Sequence, residues 1–315
     1  MPKFMVFTDP LMLEHEPPIA HPECPARLAA ILEALRRDGV LPASTAGHVH
    51  KATDVELLSV HTQEYLDWLD HASAQDARQI ETDTWISPGS VSAAQLAAGA
   101  GIDAVRAVVA GDARRAFCAV RPPGHHALAS KPMGFCLYGN VAIAARNALD
   151  THSLDRVLII DFDVHHGNGT QDMFYEEGRI GFVSVHRHPF YPGTGMADET
   201  GTGAGLGFTR NVPLGVHTPR ARYHDEYRRA VEEMAERVRP QLVLVSAGFD
   251  AHALDQVGSL GLEVEDFIAL TELAIEVADR HAEGRLVSML EGGYNISVLA
   301  QCVSAHVRTL GAHAA

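Results

Sequence analysis

Arg156-Val157-Leu158-Ile159-Ile160 is a short apolar run, and Asp161-Phe162-Asp163-Val164-His165-His166-Gly167-Asn168-Gly169 follows it directly. An unbroken apolar run of that length reads as a strand buried on both faces, the habit of a parallel sheet covered by helices. Five further runs share its character: Phe4 to Phe7, Arg115 to Val120, Gly181 to Val185, Leu242 to Ser246 and Leu286 to Leu290. Helical patterns lie among them. Pro25 to Arg37 carries Leu28, Ile31, Leu32 and Leu35 on one stripe and ends before Gly39. Ser90 to Ala110, Asn140 to Leu149, Pro219 to Val238, Val264 to Ala282 and Ile296 to Leu310 look similar. The alternation predicts an α/β protein with one parallel sheet flanked by helices on both faces. The 315 residues allow two domains by a prior of about 150 residues each. No linker, repeat or low-complexity tract divides them, so a single domain is expected.

In such a sheet, ligands bind beyond the carboxyl ends of the strands. Five of the runs end in Gly-rich or polar turns: Arg121-Pro122-Pro123-Gly124-His125-His126, the Asp161 to Gly169 segment, His186, Ala247-Gly248-Phe249-Asp250, and Glu291-Gly292-Gly293-Tyr294. Asp163 and His165 are two apart, which in extended chain puts both side chains on one face. Asp250 supplies a third ligand from another strand end. Two carboxylates and an imidazole suit Zn²⁺ and leave a fourth position for water or substrate. Singly, each is as well explained as a solvated loop acid or a hydrogen-bonded core histidine; together with the separate His125-His126 pair they are much harder to dismiss. Neighbouring histidines need two partners, and Asp161 and Asn168 are candidates that would set their tautomers. Tyr294 offers a neutral hydroxyl to a developing oxyanion.

Asp and Glu number 40 against 25 Lys and Arg, a net charge of −15. That balance argues against a nucleic-acid binder and hints at a cationic or neutral substrate. No apolar run approaching 18 residues is evident, so no membrane span is expected, and the stretch from Met1 to Asp9 is too short for a signal peptide. Cys24, Cys118, Cys136 and Cys302 form no C-x-x-C pair, which fits a cytoplasmic enzyme with free thiols. Gly201-Thr202-Gly203-Ala204-Gly205-Leu206-Gly207 departs from phosphate-loop patterns and reads as a flexible loop near the site.

The assembled motifs resemble the zinc-dependent histone deacetylase superfamily, its class II-like bacterial deacetylases and acetylpolyamine amidohydrolases in particular. The segments that carry the likeness are His21-Pro22-Glu23 with Arg27-Leu28, Arg121 to Ala127, Gly134-Phe135-Cys136, Asp161 to Thr170, Phe190-Tyr191-Pro192-Gly193-Thr194-Gly195, Ala247 to His252 and Glu291 to Asn295. They run nearly the whole chain, so residues 1–315 are expected to form one catalytic domain. The resemblance implies zinc ligands Asp163, His165 and Asp250. It implies His126 as general base, His125 as its electrostatic neighbour backed by Asp161, and Tyr294 as the transition-state hydroxyl. Asn168 stands behind His126 where class I relatives have Asp, which supports a class II-like assignment. Phe135, with Gly134, and Tyr191 match the walls of an acyl-lysine tunnel, and Asp83 a rim carboxylate. Arg27 resembles a residue of an internal acetate channel, with a structural role as the alternative. A structural K⁺ is implied at Asp161, Asp163, His165, Ser184 and Val185, and a second around Phe174, Glu177 and Ile180.

The expected chemistry is removal of an acetyl or short acyl group from an acyl-lysine side chain or an N-acetylpolyamine. A non-catalytic acyl-lysine-binding protein and an arginase-like binuclear manganese hydrolase are the alternatives. The expected partner is the acetylated amine, with no nucleic acid and no membrane, and with homo-oligomerisation left open.

Overall fold

The computed structural model describes residues 4–40, 46–47, 49–75 and 78–312. Met1, Pro2 and Lys3 of the N-terminal stretch lie outside them. The strands are β1 (Phe4–Phe7), β2 (Ala46–Gly47), β3 (Arg115–Cys118), β4 (Val157–Asp161), β5 (Ile180–Arg187), β6 (Thr209–Leu214), β7 (Leu242–Ala247) and β8 (Leu286–Leu290). They form one sheet in the order β2-β1-β3-β8-β7-β4-β5-β6, and every pairing is parallel. The helices are α1 (Pro25–Arg37), α2 (Asp54–Leu57), α3 (Gln63–Ala74), α4 (Ser90–Ala110), α5 (Asn140–Asp150), α6 (Asn168–Phe174), α7 (Arg220–Val238), α8 (Val264–His281) and α9 (Ile296–Ala312).

All six expected strands and all six expected helices are present. Two strands and three helices were not anticipated. β6 contains Arg210, Asn211 and Pro213 and lies at the sheet edge, where a missing N–H is tolerated and apolar character is not required. α6 opens on Asn168-Gly169, directly after Gly167, glycines that disguise a helix start as a turn. α2 and α3 are announced only by their caps, Thr53 and Thr62, whose hydroxyls accept from Glu56 and Tyr65 N–H.

α4 has 21 residues, a mean hydropathy of 1.3, and the length and composition to span a membrane. Its best window is nonetheless 78% buried within the fold, and it packs on α5, β3 and β8. Small residues permit this approach. A Cβ at Gly101 would lie 2.7 Å from Met289 Cε of β8 and 3.2 Å from Ala144 Cβ of α5.

The register carries the functional consequence. Cys118 pairs with Met289, Met289 with Ser246, Ser246 with Asp161, and Asp161 with Ser184. These residues form one row across five adjacent strands. Their loops therefore start at one level on one edge. The Gly201–Gly207 segment packs on the turn after α6, where Thr202 N–H donates to the Tyr175 carbonyl at 2.8 Å.

Four histidines belong to the buried framework. His61, His166, His186 and His306 are each at most 4% exposed. His306 bridges Thr271 and Ser288 hydroxyls at 2.6 and 2.8 Å, and burial lowers its pKa to about 3. The unfolded chain binds this proton near pH 6.5, so the stability His306 contributes is whole above pH 6.5 and drains away as pH falls towards 3. Relative to His306→Gln, the parent protein should lose about 1.4 kcal/mol per pH unit below 6.5. Urea unfolding of both at pH 7, 6 and 5 measures it, and a pH-independent difference would refute it.

Candidate active site

Asp163 and His165 follow β4 and Asp250 follows β7, and their ligand atoms lie within 4.8 Å of one another, all buried. Asp163 Oδ2 accepts from Gly292 N–H at 2.8 Å, and Oδ1 lies 2.9 Å from His165 Nδ1. Asp250 Oδ1 accepts from Val164 N–H at 2.9 Å. Its Oδ2 is buried without a hydrogen bond and lies 3.2 Å from His165 Nδ1. The carboxylates need glycines around them. A Cβ at Gly248 would come within 2.0 Å of Asp163 Oδ2, and one at Gly292 within 2.1 Å of Asp250 Oδ2.

The cluster gathers two carboxylates in a buried setting. Burial and then the Asp163 charge push the Asp250 carboxyl up to about 7. Burial works against the His165 imidazolium, but Asp163 and Asp250 outweigh it and raise that pKa to about 10. Two buried carboxylates and one imidazole, with an orphaned oxygen among them, are the donor set of a divalent metal ion. The residues therefore fit such an ion.

His125 and His126 follow β3 on the turn begun by Pro122 and Pro123, with ring centroids 4.0 Å apart. They take different partners: His125 Nδ1 lies 2.9 Å from Asp161 Oδ2, and His126 Nδ1 lies 2.7 Å from Asn168 Oδ1. Burial disfavours both charged forms. For His125, Asp161 and Asp163 overcome it and hold the pKa up at about 10. For His126, burial is reinforced by His125 and His165, and the pKa falls well below its ordinary value. One ring is thus held charged and its neighbour neutral. His126 sits 5.7 Å from the His165 ring.

Above this floor, Phe135 meets Tyr294 edge-on at 5.8 Å, and Tyr191 meets His126 edge-on at 5.2 Å. Gly134 and Phe135 both have positive φ, 57° and 68°. A Cβ at Gly134 would approach His126 Cδ2 to 2.4 Å. Asp83 Oδ1 accepts from Gly134 N–H at 3.1 Å, and the Thr84 hydroxyl donates to Asp83 at 2.9 Å. Phe135 N–H donates to the Thr84 hydroxyl at 3.1 Å and Tyr191 hydrogen-bonds Asp83, so these contacts link Asp83, Gly134, Phe135 and Tyr191. Asp161 and Ser184 are register partners on adjacent strands, with Val185 next in β5. Glu177 N–H donates to the Phe174 carbonyl at 3.0 Å, which occupies one oxygen of the second implied K⁺ site.

Several residues at the site were not assigned roles from the sequence. Phe190 stacks on His165 at 5.1 Å and 17°. Glu291, fully buried, accepts from Gly124 and His125 N–H at 2.7 and 3.2 Å and so fixes the turn that carries the histidine pair. Asp255 Oδ2 accepts from Tyr294 N–H at 2.7 Å. Beneath them Glu23 accepts from Arg121 Nε and Nη2 at 2.7 Å each and from Arg27 Nη1 at 3.1 Å. Arg27 in turn donates to the Glu291 and Gly293 carbonyls at 2.6 Å and lies 4.9 Å from the Tyr294 ring centre. Glu23 and Glu291 stood in quoted motifs, but nothing local distinguishes a buried carboxylate that organises a turn from a surface one.

Fold and site define a parallel α/β protein with a buried Asp-His-Asp cluster, suited to hold a cation, at the strand ends. The histone deacetylase domain model matches residues 21–310. The chain belongs to the histone deacetylase family. It is 38% identical over 286 residues to a probable deacetylase of Archaeoglobus fulgidus, covering 90% of this chain and 79% of that one. It is 38% identical over 298 residues to the histone deacetylase-like amidohydrolase of Pseudomonas aeruginosa, covering 94% and 78%. The crystal structure of the HDA15 HD domain superposes with a TM-score of 0.93 at 35% identity, covering 98% of this chain and 88% of the other.

Proposed function

We propose that this protein is a zinc-dependent amidohydrolase that removes acetyl or short acyl groups from primary amines, acyl-lysine side chains or N-acetylpolyamines, releasing acetate and the free amine. Residues 1–315 act as one catalytic domain in this reading. The observation that carries it is the His125–His126 pair, each ring held by its own partner, Asp161 and Asn168, beside the Asp163–His165–Asp250 cluster.

Asp163, His165 and Asp250 would hold Zn²⁺. Bound there, the ion supplies Lewis acidity to the amide carbonyl and acidifies water. Asn168 accepts from His126 Nδ1–H, so the other ring nitrogen, Nε2, is the free base. His126 takes a proton from water and returns it to the leaving amine. His125, kept cationic by Asp161, adds positive charge where the tetrahedral oxyanion develops. Tyr294 donates its hydroxyl to that oxyanion, and burial keeps this hydroxyl protonated. Phe135 and Tyr191 flank an aliphatic stem while Asp83 hydrogen-bonds the substrate at the rim. K⁺ at Asp161, Asp163, His165, Ser184 and Val185 stiffens the loop that carries the ligands. The four free cysteines suit a reducing, cytoplasmic setting, and the net charge of −15 suits a cationic product.

The test is turnover by metal-loaded protein of a fluorogenic acetyl-lysine peptide, acetylspermidine and acetylputrescine, with metal content measured alongside. One Zn²⁺ per chain, lost in Asp250→Ala together with turnover, is the expected result. Two Mn²⁺ per chain would indicate arginase-like chemistry. Binding of acetyl-lysine without hydrolysis by fully loaded protein would indicate a binding module.

A further inference from the structure

A cavity of about 540 Å³ opens between the end of β5 and the start of α7, lined by Arg187, His188, His217 and Arg222 with Gly215 and Pro219 among its walls. No Asp or Glu lines it, although the chain carries 40 of them against 25 Lys and Arg. Three other arginines of α7 show what the surface does elsewhere. Arg220 pairs with Asp266, Arg228 with Glu232, and Arg229 with Glu226. Among the described residues no carboxylate pairs with Arg187 or Arg222. Arg187 instead donates to the Gly258 carbonyl at 3.0 Å, and His188 Nδ1 is buried without a partner. Cationic groups facing one cavity repel each other, and guanidinium forks are suited to two-point contact with a carboxylate or another oxyanion. The cavity is also coupled to the site. The Arg187 guanidinium lies 4.2 Å from the centre of the Phe190 ring, which is stacked on His165 at 5.1 Å.

We propose that this cavity is an oxyanion subsite beside the acyl tunnel and takes a carboxylate carried by the acylated substrate. The substrate class it implies is an acyl-lysine peptide with an acidic neighbour, in preference to an acetylpolyamine, which has no carboxylate to offer. The substrate part of this inference rests on the deacetylase reading. The site itself is independent of it.

Two measurements on zinc-loaded protein separate the cases. First, kcat/KM is compared for acetyl-lysine peptides with Glu or Gln flanking the modified residue, in the parent, Arg222→Glu and His217→Glu. The Glu peptide should lead by about tenfold through KM, as one charge-assisted hydrogen bond supplies. The variants should erase that lead while the Gln peptide is turned over unchanged. Second, inorganic sulfate is titrated while the thermal midpoint is followed, and the parent should be raised and the variants unmoved. A Glu preference erased by the variants supports the substrate carboxylate. Sulfate protection that the variants lose, without a peptide preference, supports the same site filled by a free anion. Equal peptides and equal sulfate responses overturn the proposal even if deacetylation is robust. If neither peptide is hydrolysed, the deacetylase reading has failed and the sulfate comparison alone decides the site.

Discussion

Replacing Tyr294 by Phe is expected to lower kcat by about 10²–10³-fold, the usual effect of losing one oxyanion donor, about 2.7–4 kcal/mol. KM should change little, because the hydroxyl acts where charge develops and not in the ground state. The substitution keeps the ring and its edge contact with Phe135 at 5.8 Å. The backbone anchor is kept too, since Asp255 holds Tyr294 N–H. Fold and metal content should therefore be unchanged. Steady-state kinetics with zinc analysis check this. A variant with full metal and turnover within threefold of the parent would remove Tyr294 from the chemistry.

Glu23→Gln is expected to destabilise the fold by about 3–5 kcal/mol, the range for breaking a buried ion pair by removing one partner. Glu23, Arg27 and Arg121 are all 0% exposed, and the one carboxylate serves both guanidiniums. Burial alone would raise the Glu23 pKa, but the Arg121 charge prevails and holds it well below the usual carboxylate range. Without that charge two buried cations face each other across an amide. Arg27 also carries the Glu291 and Gly293 carbonyls, so the Gly292-Gly293-Tyr294 turn should loosen and turnover fall with stability. Glu56→Gln is the control. Glu56 is a quarter exposed beside His50, and pairs of that kind contribute about 1 kcal/mol or less. Urea unfolding of the three proteins measures the contrast. Equal losses for Glu23→Gln and Glu56→Gln would show that the buried network is not what holds this end of the sheet.

Much of the site was legible because its signals are local. Asp163 and His165 share a face by strand periodicity, and Gly-rich or polar turns mark the strand ends where the ligands gather. The residues alone offered Asp161 and Asn168 as partners of the histidine pair without saying which took which, and only the resemblance supplied the pairing that the structure has. His125 reaches Asp161 across 36 residues, and His126 reaches Asn168 across 42. Glu23 and Arg121 are 98 apart, and Arg27 reaches Gly293 across 266. Such contacts leave no periodic trace. The basic cavity is of the same kind, since Arg187 and Arg222 belong to separate elements and carry no shared motif.

By itself, then, the sequence determined the class of fold, the edge of the sheet where chemistry gathers, and the residue types available there. Alternation between short unbroken apolar runs and stripes of period 3.6 is written in neighbouring residues, and so are strand ends rich in glycine and ligands. The tertiary structure alone decided strand order, and through it the row from Cys118 to Ser184 that sets five loops at one level. It also decided which histidine is charged and which neutral. That difference is set by burial and by carboxylates distant in sequence but within hydrogen-bonding reach in space, and no local pattern encodes such distances.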